Sequence, residues 1–405
     1  GQPVTGNDPV SKNGTDIWLE NFKETLSGTS GNNEWTTAWS WTEGELPRLK
    51  KLNTDGTTYS NELISGQKVR SQSACLYHST WESKTNIAQS IENAPPAGTD
   101  EPGDGLSPDK PILIKNAAEL AYLAQQVNTG GYVLEVKNGN KIDNEADSNK
   151  QGFSGYYFAL SADIDLNGYE WTPIGNDTHP FKGHFNGDGH VVRGLKMNVE
   201  IETKTTTYAG LFGYIENGTL RNLGVWLAPE GIEVSSTQFG YISAGGLAGD
   251  ITGTDSKTPA SIQNCYVEGE GNIAVRSTDN TIKIHVGGII GATITGTSII
   301  THCYTTVDVE AEVDSRSIIH VGGIAGYASD ISYSYATGNV KVKERKKGKM
   351  PLVGGICGNA TNGTITNCVA LNKEISSPGS DQCYRICRSG SGTNYASPRM
   401  MINGQ

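Results

Sequence analysis

"GGICGNATNGTITNC", residues 354–368, packs glycine, cysteine and β-branched residues into one phrase, and that phrase has relatives upstream. Aligned on their glycines they are "GGLAG" (245–249), "GGIIG" (287–291), "GGIAG" (322–326) and a degenerate "AGLFG" (209–213), with starts 32 to 42 residues apart. A second phrase follows each one: "TLRNL" (219–223), "SIQNC" (261–265), "SIITHC" (298–303), "DISYS" (330–334) and "TITNC" (364–368). Paired phrases at this period point to a solenoid, because each unit can bury its apolar face only against the next. The units are strands: Ile, Val, Thr and Tyr alternate in short runs such as "TVDVEAEV" (306–313) and "NVKV" (339–342), broken by glycine turns and without a 3.6-residue stripe. The expected fold class is all-β, a right-handed parallel β-helix (solenoid) with a short N-terminal capping helix and a small cap-like segment at the N-terminus of the chain.

Stacking gives the repeated residues a physical role. Leu220, Ile262, Ile300, Ile331 and Ile365 are expected one above another at about 4.8 Å, as an apolar ladder. The same register stacks Leu223, Cys265, Cys303, Ser334 and Cys368. A column that accepts Leu, Cys or Ser asks for a modest buried side chain rather than a reactive one. The glycines let the backbone turn tightly or lie close to a neighbouring coil.

Composition agrees. The chain has 405 residues, 51 of them glycine, with only 19% charged, which excludes coiled coils and helical bundles. Its net charge of −11 opposes a nucleic-acid backbone, so no nucleic-acid partner is expected. No run approaches eighteen apolar residues, so no transmembrane segment is expected either. The chain opens on Gly1 without a basic-then-apolar leader, which reads as a processing or cloning boundary. Seven cysteines leave at least one unpaired or paired between chains. They lack zinc spacing, although Cys383 and Cys387 form C-x-x-x-C; no cofactor is expected.

Together "GGIAGYASDISYSYATGNVKV" (322–342) and "GGICGNATNGTITNCVALN" (354–372) resemble the GLUG-motif repeats of bacterial surface proteins, and the resemblance spans about residues 110–405. It implies a β-helix, a place outside the cell or on the bacterial outer surface, and a role in adhesion. Ahead of the repeats, "NAAELAYLAQQVN" (116–128) sets Leu120, Leu123, Ala124 and Val127 at helical spacing behind an Asn116/Glu119 capping pair, a helix suited to covering the open first coil.

The head of the chain is out of order for the family. "NEWTTAWSWTEGELPRLKKL" (33–52) resembles the closing segment that normally follows the last repeat, and the tail "NYASPRMMINGQ" (394–405) joins the head "GQPVTGNDPVSKNGTDIW" through a shared Gly-Gln. Residues 1–60 are therefore expected to be a β-helix cap, 61–109 irregular and ending in the Pro-rich linker "ENAPPAGTDEPGDGLSPDKP" (92–111), and 110–405 the repeat domain. Three accounts follow: one period of a tandem array, a fragment cut at equivalent points, or a head that caps its own tail or a neighbour's, giving head-to-tail self-association.

Several residues are candidates for chemistry. Asp163 and Asp165 in "SADIDL" share one strand face, and Asp188 in "NGDGH" lies within reach of the next coil. Glycoside cleavage needs such paired carboxylates, calcium would suit the same oxygen-rich turns, and hydrogen bonding to turn backbone is the structural alternative. His285 and His320 each precede "VGG" on adjacent coils and offer two metal ligands, but the column continues as Ser243 and Leu352. The basic run "KERKKGKM" (343–350) is either a solvated turn or a grip for acidic glycans. Tyr304 and Tyr335, in register, read as a structural ladder rather than a sugar platform. The expected function is that of a non-enzymatic surface or secreted protein, an adhesin or stalk binding host or microbial glycans or glycoproteins. The alternative is a carbohydrate-active β-helix using Asp163, Asp165 and Asp188.

Overall fold

The computed structural model describes residues 15–16, 26, 34–41, 46–54, 57–65, 67, 105–130, 133–135 and 141–143, and from 148 onward all but 167, 239, 255–258, 279–282, 294–297, 314–317, 345–350, 361–362, 378–381 and 390–391. The protein is mostly β, and each turn of the chain contributes strands to four parallel sheets. One turn runs through Lys283–Gly287, Ile290–Ala292, Ser298–Thr301, Tyr304–Thr305 and Val309–Val313. The next runs through Ile318–Gly322, Ala325–Tyr327, Asp330–Ser332, Tyr335–Ala336 and Val340–Glu344. Equivalent strands pair in parallel and in register: Ile284 with Ile319, Ile290 with Ala325, Ile300 with Ile331, Tyr304 with Tyr335, Val309 with Val340. The sheets run along the stack, and among the described residues none closes on itself.

The anticipated ladder is present. Leu220, Ile262, Ile300, Ile331 and Ile365 pair in one unbroken column and are fully buried, each side chain contributing about 1.5–3 kcal/mol by burial. The second column, with Leu223, Cys265, Cys303, Ser334 and Cys368, is also buried.

The glycine phrase makes a bend between two short strands, here called the first arm and the second arm, as in Ile318–Gly322 and Ala325–Tyr327. The last glycine of the phrase faces the backbone of the arm before it. A Cβ on Gly326 would stand 2.5 Å from the Val286 nitrogen and 2.6 Å from the His320 oxygen, and one on Gly358 2.6 Å from the Val321 nitrogen and 2.8 Å from the Leu352 oxygen. The arms thus meet backbone to backbone, which only glycine permits. The residue between them points inward: Leu211, Leu247, Ile289, Ile324 and Ile356 are all fully buried.

A second corner lies just before the cysteine column. Asn222, Asn264, His302, Tyr333 and Asn367 all take left-handed backbone, with φ between 49° and 57°, a conformation that asparagine tolerates better than most residues.

At the N-terminal end of the stack, the helix Ala117–Asn128 forms as expected. Asn116 caps it by accepting from the Glu119 amide at 3.0 Å, and Leu120, Leu123, Ala124 and Val127 are buried. At the other end, Thr15–Asp16 pairs in parallel with Tyr395–Ala396 on the last turn. The described residues of 34–65 lie elsewhere: they pack along the flank of the stack, with Trp35, Trp39, Leu46 and Leu49 in one buried cluster with Tyr266, Tyr304 and Tyr335. An end cap would contact a single outermost turn, whereas this segment spans several. Residues 1–14, 17–25, 27–33 and 68–104, which hold much of the head and linker, are outside the described residues.

Candidate functional site

The flank segment docks on the asparagine corner. The Asn222 side chain exchanges two hydrogen bonds with the Leu52 backbone, each 2.8 Å, as a strand neighbour would, and Asn264 donates to the Lys50 carbonyl at 2.8 Å and to Asn222 Oδ1 at 2.7 Å. Higher up, His302 Nε2 lies 3.2 Å from a Glu34 carboxylate oxygen. Beside this corner the rings of Tyr266, Tyr304 and Tyr335 stack at 5.2 and 4.8 Å, nearly coplanar. Trp39 covers them at 6.0 Å from Tyr304 and 5.4 Å from Tyr335. Their hydroxyls donate to Ser65 O, to the buried Glu268 and to Pro47 O respectively. This ladder is therefore consumed by packing.

The three candidate carboxylates meet different partners. Asp163 Oδ1 accepts from Ser65 Oγ at 2.6 Å and Val191 N at 3.2 Å and lies 3.1 Å from His190 Nδ1, while Arg193 stands 3.5 Å from Oδ2. Partial burial pushes its carboxyl up, but the bonds from Ser65, His190 and Val191 and the Arg193 charge outweigh that, and its pKa is lowered. That is the opposite of what a general acid requires. Asp188 sits in a left-handed turn, φ 51°, with its own amide donating to Asn186 Oδ1 and its carboxylate on Lys51 Nζ at 2.9 Å. Asp165 opens on the other side, at a cavity of about 600 Å³ beside the capping helix, lined also by Ala117, Ala121, Leu166, Tyr169 and Trp171. Among the described residues no group of three or more His, Cys, Asp or Glu is placed to hold a metal ion.

His285 and His320 do stack, with Nδ1 atoms 3.2 Å apart and ring centroids 4.9 Å apart. One neutral ring donates and the other accepts, which accounts for the distance without a metal. The rings of Tyr241 and Tyr327 flank the pair. Burial, then His320 and Lys283, hold His285 well below its usual pKa, and burial, then Arg388, bring His320 down to about 4. Unfolded histidines protonate near 6.5, so between about pH 6.5 and 4 the unfolded chain binds more protons and stability falls as pH falls; above 6.5 the pair adds no slope. Thermal midpoints should drop more steeply from pH 7 to 4.5 in the wild type than in a His285→Gln/His320→Gln variant.

All six described cysteines are buried and unbridged. Burial raises the Cys303 and Cys368 thiols to about 12 and those of Cys265 and Cys357 well above their usual value, Cys357 also facing Cys387. Thiolate is the reactive form and burial also keeps reagent out, so Cys265, Cys303, Cys357 and Cys368 should resist iodoacetamide at pH 8 for hours in native buffer and react within minutes in strong denaturant, read by peptide mass. Cys75 and the stretch 345–350 of the basic run lie outside the described residues.

Geometry and sequence together define a protein of parallel-stacked, glycine-bent repeats. The family model described as the GLUG motif matches residues 318–341 and 351–376; the chain carries GLUG-motif repeats. A protein of Evansella cellulosilytica described as a "putative Gly-rich membrane protein" is 42% identical over 78 residues, which cover 18% of this chain and 9% of that protein's own length. The crystal structure of a "putative immunoglobulin A1 protease" from Bacteroides ovatus aligns over 71% of this chain and 84% of its own, at 21% identity and a TM-score of 0.42. No described helix is long and apolar enough to cross a membrane.

Proposed function

We propose that the chain winds as a right-handed parallel β-helix and serves as a non-enzymatic surface or secreted protein, an adhesin or stalk outside a bacterial cell. What carries the reading is how the repeated residues are used: glycines in the bend, Ile and Cys columns in the core, tyrosines under the Trp39 cover. They build length and stiffness. The right hand follows from the chirality of crossovers between parallel strands, which holds in about 98% of cases. The GLUG match and the membrane-protein description of the Evansella relative support placement at a cell surface. Pairing of Thr15–Asp16 with the last turn supports an N-terminal stretch that closes a tail, in its own chain or in a neighbour's, ahead of a flank segment and a repeat domain over 110–405.

The test is an array of host and microbial glycans and matrix glycoproteins probed with labelled protein and soluble competitor, with reducing-end release assayed in parallel. Saturable, competed binding without new reducing ends is expected. Release of sugar ends would overturn the non-enzymatic part, and absence of binding at micromolar protein would remove adhesion and leave the stalk.

A further inference from the structure

We propose that the inside of the glycine bend is a binding trough for an uncharged glycan chain lying along the stack, a proposal that rests on the adhesive reading above and gives it a site. The first observation is a contrast between columns. Positions that the winding requires repeat from turn to turn, as Leu247, Ile289, Ile324 and Ile356 do. The column facing the inside of the bend on the first arm does not: it runs Tyr208, Ser243, His285, His320, Leu352 in unbroken register. Across the bend the second arm carries Tyr214, Asp250, Ala292 and Tyr327 in its own column. Chemistry that changes at every turn is not chemistry the fold demands.

The second observation is what these residues build. Tyr208 and Tyr214 stack across the bend at 5.2 Å and 11°, and two turns beyond the Tyr241 turn His320 and Tyr327 do the same at 5.5 Å and 21°. Tyr241 links the two pairs, 6.0 Å from Tyr208 and 5.5 Å from His285. A run of rings therefore spans four turns. Tyr208, Tyr214, Tyr241 and Tyr327 are only half-buried, whereas Tyr266, Tyr304 and Tyr335 on the flank are at most 2% exposed beneath Trp39. The protein thus holds a tyrosine column covered by its own chain and, in the bend, a separate group of tyrosines from three columns that are only partly buried. Half-exposed aromatic faces beside a few fixed polar groups are what the C–H faces and hydroxyls of sugars recognise. Two polar features lie along the run: the Asp250 carboxylate, 1% exposed, which accepts from the Tyr241 hydroxyl at 3.1 Å, and on later turns the His285–His320 pair.

Charge selects the class of ligand. Asp177, Asp250 and Glu216 face the Tyr208/Tyr214 end, while Lys283 and Arg388 face the histidine end. Neither sign dominates, which disfavours an acidic polymer. Successive turns are about 4.8 Å apart, so a linear chain lying along the stack meets a new turn at each step.

The test is calorimetric titration of the full chain with cellohexaose, laminarihexaose, mannohexaose and maltohexaose, with hyaluronan as an acidic comparison. At least one neutral hexaose is expected to bind, hyaluronan not to. Tyr208→Ala/Tyr214→Ala and Tyr327→Ala should each weaken that binding about fivefold or more, Tyr327→Phe should keep it, and Tyr157→Ala, a partly exposed ring outside the bend, should leave it unchanged. Hydroxyl-radical footprinting of the wild type, which needs no variant to fold, should show Tyr208, Tyr214 and Tyr327 protected by the bound hexaose. Hexaose binding that ignores the bend variants and protects other residues overturns the trough while adhesion to glycans stands. No neutral hexaose bound also overturns it, and matrix-glycoprotein binding on the array then decides adhesion by itself.

Discussion

Gly326→Ala should cost about 3 kcal/mol or more, at or above the upper end of the range for overpacked sites. The three atoms nearest the new methyl are all backbone: Val286 N at 2.5 Å, His320 O at 2.6 Å and Gly291 O at 2.8 Å. No rotamer change can relieve that. The chain must open the bend, and opening it on one turn breaks register with both neighbours, since Ile290 pairs with Ala325 and Ala325 with Cys357. Urea unfolding should move to a clearly lower midpoint, with amide exchange accelerated around residues 286–291 and 320–327. Ile299→Ala, at a side chain 38% exposed, is the control and should stay within about 0.5 kcal/mol of wild type.

Trp39→Ala should release the flank while sparing the stack. Trp39 is 1% exposed, packed on Trp35 at 5.1 Å and against Tyr304 and Tyr335. Removing a buried tryptophan costs about 3–5 kcal/mol, and Trp39 is the largest side chain of the segment packed directly on the Tyr304 and Tyr335 rings. Amide exchange across the described residues of 34–65 should rise by two orders of magnitude or more. Exchange at Ile284–Val286, inside the sheets, should hardly change, because the tyrosines keep their own stacking and the Tyr304–Glu268 bond. Equal acceleration at both places would mean that the flank segment is part of one cooperative unit with the stack.

The parts legible in the sequence are those governed by short, repeated physics. The Ile262 to Ile365 column was readable because strand period and repeat length together fix which residues stack, and the helix because Asn116, Glu119 and four apolar positions specify it locally. The flank was legible as a piece but not as a place. Its contacts, such as Leu52 with Asn222 and Pro47 with Tyr335, join residues 170 and 288 positions apart, and nothing local encodes which column receives them. The left-handed corner did leave a signal: an asparagine ahead of the column residue at 222, 264 and 367, masked by His302 and Tyr333 at the same position.

The candidate site was less legible for a similar reason. The sequence placed Asp163 and Asp165 on one face, whereas Asp165 lines the cavity beside the helix and Asp163 is held by Ser65 and His190, which come from distant segments. His285 and His320 were paired correctly from register alone. The bend residues Tyr208, Tyr214 and Asp250 escaped notice because they do not repeat, and repetition was the signal being followed.

The stacking register is the central claim, and disulfide trapping tests it most directly. In a Cys75→Ser background, Glu310→Cys with Lys341→Cys joins positions that face each other on adjacent turns, with Cα atoms about 4.8 Å apart, inside the range a disulfide can bridge. The pair Glu310→Cys with Lys343→Cys is shifted two residues along the strand and falls beyond that range. The account predicts rapid, near-complete bridging within single chains for the first pair and little for the second. Equal bridging of both pairs, or bridging of the shifted pair alone, would contradict the parallel in-register stack.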